Sequence, residues 1–446
     1  MLLPYFMQRE RNCVVLLFFL VFGVYLLCPV ITSYDSIYSI PLAKSILYEG
    51  NFDLDEYLSI KGEYGTTTIN GHYYYYFPYA SSIIAVPFVF VFDTIMTHFK
   101  EGIQNILQDM LALLGINHDK ISKLLDDEIF FNMLYEKIIA SFISALCVIV
   151  FYYITRNYLD HIYSLFLTLT FAFTSSLWSV ASRGLWSHGP SILFLELAVL
   201  GILYAKEKPD IIPYVGVPLS IAYIIRPTNA ISLALFSIYI LYSNRKYYNR
   251  ILYYCVFTAL PLILFVGLNL SIYNSLLPPY FLAERITNIS PYFFEALAGN
   301  FISPARGLFI FSPILLLSIY GVYLKHKTHT FESFDLVLIA IVIFHWLAIS
   351  NYPHWWAGHS YGPRFFLDVT PFIYYYLIPV VSHITTIRSP SSNLWITLFI
   401  ILVAISFFIH FKGAATHGVW QWNEFPINVD KDPSRLWNLT DIQFLR

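Results

Sequence analysis

Charge is the scarcest ingredient of this chain. Asp, Glu, Lys and Arg make up 12% of its 446 residues, about half of what soluble domains carry, and this excludes a soluble globular protein. A formal net charge of −2 leaves no basic surface of the kind that holds nucleic acid. Cysteine is scarce as well. Cys13, Cys28, Cys147 and Cys255 all fall inside apolar runs, which excludes a disulfide framework and predicts free, buried thiols. No small-residue cleavage site follows the first apolar run, and Arg9 and Arg11 precede it. That run therefore reads as a first helix starting in the cytoplasm, not as a cleaved leader. No internal repeat and no low-complexity linker divides the sequence.

What is present is apolar: 57% of residues are hydrophobic. Stretches of about 20 apolar residues cross a bilayer, and eleven are predicted at 13–32, 131–154, 162–178, 190–205, 211–225, 228–243, 251–273, 308–324, 334–350, 366–383 and 394–411. Phe77–Met96 is apolar enough to cross but is interrupted by Pro78, Pro87 and Asp93. The charge of the loops decides its place. If it does not cross, one side holds Arg156, Lys206, Lys208, Arg245, Lys246, Arg250, Lys325, Lys327 and Arg388, and the other only Arg183, Arg226, Arg285, Arg306 and Arg364. The richer side is the cytoplasmic one. The expected fold is an all-α polytopic membrane protein in the plasma (inner) membrane. It has a transmembrane domain over 1–411, a first extracytoplasmic loop over 33–130, and an extracytoplasmic tail over 412–446. Trp420, Trp422 and Trp437 suit that tail to an interface cap.

Inside the first loop, 36–48 is predicted as a short helix. Thr66–Ile69 and His72–Tyr75 flank Asn70-Gly71, which suits the positive φ values of a type I′ hairpin turn. Phe77–Met96 is expected along the interface. Phe99, Ile103, Ile106, Leu107, Met110, Leu111 and Leu114 recur at helical spacing, as in an amphipathic surface helix.

The candidate chemistry gathers on the predicted outer side. Asp35, just past the first span, is a general base or a helix N-cap. Asp53, Asp55 and Glu56 form a water-assisted cation site or a solvated turn. Ser182–Pro190 joins Arg183, Trp186 and His188 at a membrane rim, to grip an anionic head group or to sit as an aromatic belt with a snorkelling arginine. Arg226-Pro227 has the same two readings. Ser303–Leu308 sets Arg306 in a Pro-Gly turn ahead of a helix, where free N–H groups attract phosphate. His354–Arg364 is densest: Trp356 and Tyr361 offer faces for sugar stacking, Gly358 and Gly362 allow close approach, and Arg364 suits phosphate. His354 and His359 lack a third metal ligand nearby. Glu196, inside a span, is expected to pair with one of the arginines.

These residues resemble the GT-C superfamily of integral-membrane glycosyltransferases, nearest the bacterial and archaeal relatives of the protein O-mannosyltransferases and the lipid A aminoarabinose transferase. The matching pieces are the Asp35 loop with Ala43–Gly50, the hairpin leading to Tyr76-Phe77-Pro78, Ser303–Gly307 and Trp356–Arg364. The resemblance implies an active site on the outer face and a polyprenyl-phosphate-linked sugar donor, with a glycan, lipid or protein acceptor. Asp35 takes the position of the family's first-loop acid. Arg364, Arg306, Arg183 and Arg226 are then expected on the donor phosphate, and His188, Trp186, His354, Trp356, His359 and Tyr361 on the sugar or acceptor. The family's usual Asp-Glu pair is here Asp35-Ser36, and Ser182–His188 carries no acid. This speaks against a metal-dependent variant, so no cofactor is expected, with a divalent cation the one candidate. Two competing classes are a transporter or flippase of a lipid-linked sugar, and an oligosaccharide ligase or polymerase using His188, His354 or His359 as base.

Overall fold

A computed structural model describes residues 2–60, 65–113, 127–281, 289–386 and 390–446; Leu114, Arg285 and Arg388 lie outside them. The protein is an all-α polytopic membrane protein. Among the described residues the only sheet is the hairpin β1 (Thr66–Ile69) and β2 (His72–Tyr75). Its turn has φ values of 53° at Asn70 and 85° at Gly71, as the Asn-Gly pair requires.

The helices begin with α1 (Leu2–Leu27), then α2 (Ser39–Lys44), which runs on as a wider turn to Glu49 and stops at Gly50 with φ +71°. Next come α3 (Ala80–Leu113), α4 (Glu128–Arg156), α5 (His161–Phe173), α6 (Ser176–Ser179), α7 (His188–Ala205), α8 (Ile212–Ile225), α9 (Ala230–Ser243) and α10 (Tyr248–Tyr273). The rest are α11 (Phe293–Ile302), α12 (Leu308–Phe311), α13 (Leu316–Lys327), α14 (Ser333–Ser350), α15 (Thr370–Tyr375), α16 (Leu377–Thr386), α17 (Pro390–Ala415) and α18 (Gly418–Gln421). Local chemistry starts several of them. Asp127 accepts a hydrogen bond from the Ile129 amide at 2.9 Å to cap α4. Glu332 and Asp335 form a reciprocal capping box at α14.

Eight helices among the described residues are long and apolar enough to cross a membrane, nine if the pair α5–α6, bent by 43°, counts as one. Eleven were expected, and the shortfall has physical causes. α8 and α9 have 14 residues each, about 21 Å at 1.5 Å per residue, against about 30 Å of hydrocarbon. Pro227 separates them. The expected span 308–324 breaks at Ser312-Pro313 into α12, a 3₁₀ turn and α13, because proline lacks the N–H that would continue the ladder. α3 also departs from expectation. Phe77–Met96 and the surface helix from Phe99 join into one helix kinked at Phe99 (φ −127°), and Ala80–Phe99 is one of the eight apolar enough to cross.

Burial sorts the helices into layers. The crossing windows of α4 and of Arg364–Thr386 are 72% and 78% buried, whereas those of α1, α10 and α17 are 22%, 11% and 22% buried. The first two therefore form the centre and the last three face lipid. α1 and α4 pack antiparallel: Arg156 Nε donates to Glu10 Oε1 at 2.8 Å at one end, and Lys137 Nζ donates to the Cys28 carbonyl at the other. Cys28 and Cys147 are buried, but Cys13 is half-buried and Cys255 exposed on the lipid-facing α10. Glu196 is buried with neither carboxylate oxygen hydrogen-bonded, so among the described residues it has no arginine partner.

Candidate functional site

The loop after α1 is pinned from below. Lys137 and Arg183 both donate to the last carbonyls of α1, Arg183 reaching Cys28 O at 3.3 Å and also Tyr25 O. Cations belong at the negative end of a helix dipole. The Thr32 amide donates to Arg183 O at 2.9 Å. Gly184 makes that approach possible, because a Cβ there would lie 1.8 Å from Thr32 O. Buried Glu136 ties the same two loops together: Ser33 Oγ donates to its Oε1 at 2.6 Å and the Leu185 amide to its Oε2 at 3.2 Å. Asp35 and Trp186 are thereby held side by side.

Proline chemistry delivers the arginines. Pro227 forces the residue before it out of the helix, so Arg226 is extended (φ −145°, ψ 125°) at the end of α8. Gly362, with φ +59°, turns the chain before Pro363, and Arg364 opens a 3₁₀ turn, Arg364–Val369.

Two ion pairs result. Arg364 Nη1 lies 3.0 Å from Asp35 Oδ2, and its guanidinium stacks 4.2 Å from the Trp186 ring centroid. Arg226 Nε lies 2.9 Å from Asp368 Oδ2, and His188 Nδ1 lies 3.3 Å from the same oxygen. Ser191 Oγ donates to Asp368 Oδ1 at 2.5 Å, and Arg226 Nη1 donates to Ser187 Oγ at 2.9 Å. Asp35, Trp186, His188, Arg226 and Arg364 line one cavity of about 40 Å³, with Tyr75, Pro78 and Tyr280 on its far wall. Tyr75 donates to the Asp35 carbonyl. Burial holds the Tyr75 and Tyr280 phenols above their ordinary range, so both remain neutral donors. Arg226, Tyr280 and Phe365 also border a second, mostly apolar cavity of about 260 Å³ that continues past Ile231, Ile349 and Tyr352.

The remaining candidates are elsewhere. Arg183 is fully buried as the clamp on α1. Arg306 spends its N–H groups on Trp356 O, Ala305 O, Gln443 Oε1, Gly358 O and Asn423 Oδ1, at 2.6–3.2 Å; no donor is left for phosphate. Tyr361 is buried with its hydroxyl on Ile409 O at 2.6 Å. Trp356 is buried and donates to Asp430 at 2.7 Å. His354 packs on Trp356, and His359 lies between Glu424 and Asp430. Apart from Arg183, these sit beneath the tail, and none of them lines the Asp35 cavity. Asp53 and Asp55 are joined by His72, not by Glu56, as a group with ligand atoms within 4.8 Å of one another. That group docks the hairpin.

Asp368 and Glu136 are the residues that the sequence reading missed. Each is an acid in an apolar run. Asp368 stands four residues after Arg364, and the cost of burying a carboxylate without a partner was the signal available. No protein-family model matches this chain, and no curated protein does either.

Proposed function

We propose that this protein transfers a sugar from a polyprenyl-phosphate donor to a hydroxyl acceptor at the outer membrane face, with inversion. One observation carries the reading. A half-exposed carboxylate, a stacked arginine and a second arginine, from positions 35, 364 and 226, line one small cavity, and the second arginine also borders an apolar one. That set matches a lipid phosphate ester: cations for the anion, an apolar space for the first prenyl units, and a base for the attacking hydroxyl. Asp35 takes the acceptor proton as the acceptor oxygen bonds the anomeric carbon. The phosphate leaves with the bonding electron pair, stabilised by the arginines.

The sidedness belongs to this proposal. Because α1 and α4 are antiparallel neighbours, the chain between them begins and ends at the same side of the bilayer. One crossing by α3 would not allow that, which supports α3 at an interface; the charge of the loops then supports an Asp35 cavity that opens outward. A histidine base has less support, since both ring nitrogens of His188 face Asp368 or Arg226.

The test uses purified protein in lipid with radiolabelled polyprenyl-monophosphate sugars and reads release of polyprenyl phosphate. Asp35→Asn should lower release by about 10²–10⁴-fold, the usual contribution of a general base. Release at the wild-type rate in Asp35→Asn would sink the assignment of the base. Absence of both turnover and binding for every donor would favour the diphosphate or transporter readings.

A further inference from the structure

The two ion pairs of the cavity are built differently, and the difference has a consequence. Asp368 is fully buried and held by Arg226, His188 and Ser191 together. Asp35 has a side chain 31% exposed, and its carboxylate meets Arg364 through one oxygen; Oδ1 has no partner among the described residues. Arg364 itself is fixed. Its side chain is 10% exposed, its plane rests on Trp186, and its Nε is buried without a hydrogen-bond partner. The guanidinium is thus a rigid cation with one edge unused and a loosely held counter-ion. The cavity the pair closes, about 40 Å³, has room for a few waters at most, not for a sugar phosphate.

We infer that Asp35 is a placeholder for the donor phosphate: the lipid-linked phosphate displaces the Asp35 carboxylate from Arg364. The inference rests on the transferase reading above and adds how the donor phosphate is seated. A phosphate offers two oxygens to the guanidinium, which can take them on Nη1 and Nη2 together in a bidentate grip, where Asp35 supplies one. The exchange opens the cavity and frees the carboxylate in one movement. The donor phosphate thus takes the seat that Asp35 holds in the free protein. Asp368, held from three directions, does not exchange. It keeps Arg226 in place while Arg364 changes partners.

The test is equilibrium binding of farnesyl phosphate, and of uncharged farnesol, to full-length protein in nanodiscs. Asp35→Asn should bind farnesyl phosphate about tenfold more tightly than wild type, because no carboxylate competes, while farnesol affinity stays the same. Asp35→Glu, which keeps the charge, should return to the wild-type value. Asp430→Asn, which removes a charge outside the cavity, should leave it unchanged. In the Arg364→Gln background Asp35→Asn should give no gain, which separates exchange at Arg364 from general repulsion. Equal or weaker binding by Asp35→Asn overturns the exchange and leaves the lipid-phosphate reading standing. Failure of both wild type and Asp35→Asn to bind farnesyl phosphate overturns that reading, and the exchange with it.

Discussion

Arg306 and Arg364 occupy the same kind of sequence, short turns of Pro and Gly beside Ser and aromatic residues, yet they end in opposite conditions. Arg306 lies under the tail with its donors shared among five neutral oxygens. Arg364 lies at the cavity with one carboxylate oxygen, an aromatic face and an unused Nε. The first arrangement is a cross-link between chain segments; the second is a cation left available. An arginine is thus assigned not by its neighbours in sequence but by how many of its donors the fold has already used.

Substituting the two residues in turn gives the largest separation. Arg306→Ala strips donors from five acceptors. At about 1–3 kcal/mol for each buried group left unpaired, the loss is on the order of 5 kcal/mol, comparable to the whole stability of many domains. Thermal melting in detergent should register it as failure to fold or a collapse of the melting temperature. Arg364→Ala should cost much less stability, since it leaves one partly exposed carboxylate without its partner instead of five buried acceptors, and lower donor turnover by about 10²–10³-fold. A stable Arg306→Ala protein would mean that the tail is held by something else.

Gly184→Ala should have a smaller effect that runs through geometry. The added Cβ meets Thr32 O at 1.8 Å, so the Asp35 loop and the Trp186 loop must separate. A shift of about 1 Å in a catalytic group costs about 10²-fold in rate. The expected outcome is that loss in turnover with folding retained. Wild-type turnover in Gly184→Ala would show that the two loops need not touch.

How far the sequence reached follows the same division. The Asn70-Gly71 hairpin was legible because its signal is local. The sequence put Asp35, Trp186, His188, Arg226 and Arg364 at one rim together with Arg183, Arg306, His354, Trp356, His359 and Tyr361, and could not separate the five that line the cavity from the six that do not. Their partners were not legible. Glu136 joins Ser33 from 103 positions away, and Asp368 holds Ser191 across 177. Within an apolar run one acid looks like another: Glu196 was expected to find an arginine and has none among the described residues, while Asp368, unremarked, has Arg226. Span number differs for a related reason: eight or nine helices among the described residues are long and apolar enough to cross, against the eleven expected. Hydropathy does not register that Pro227 and Ser312-Pro313 break the helical ladder.

The hairpin supplies a third, exposed ion pair, and its pH response sharpens the contrast with the buried ones. His72 Nδ1 lies 2.7 Å from Asp55 Oδ2, and the Tyr73 amide donates to Asp55 Oδ1 at 2.8 Å. That amide, then His72, hold the Asp55 carboxyl below its usual 3.8. The Asp55 hydrogen bond raises His72 above its usual 6.5. A depressed carboxylate gives stability that is present above its unfolded pKa and lost as pH falls through the folded one. A raised histidine gives stability that is present below its unfolded pKa and lost as pH rises through the folded one. Both contributions are complete only between 3.8 and 6.5. The protection factor of the Tyr73 amide, taken from hydrogen exchange corrected for intrinsic rate, should peak in that window and decline on either side. In Asp55→Asn it should be flat. A flat wild-type profile would mean that the main-chain pairing of Thr66–Ile69 with His72–Tyr75 holds the hairpin alone, with the charges idle on its surface.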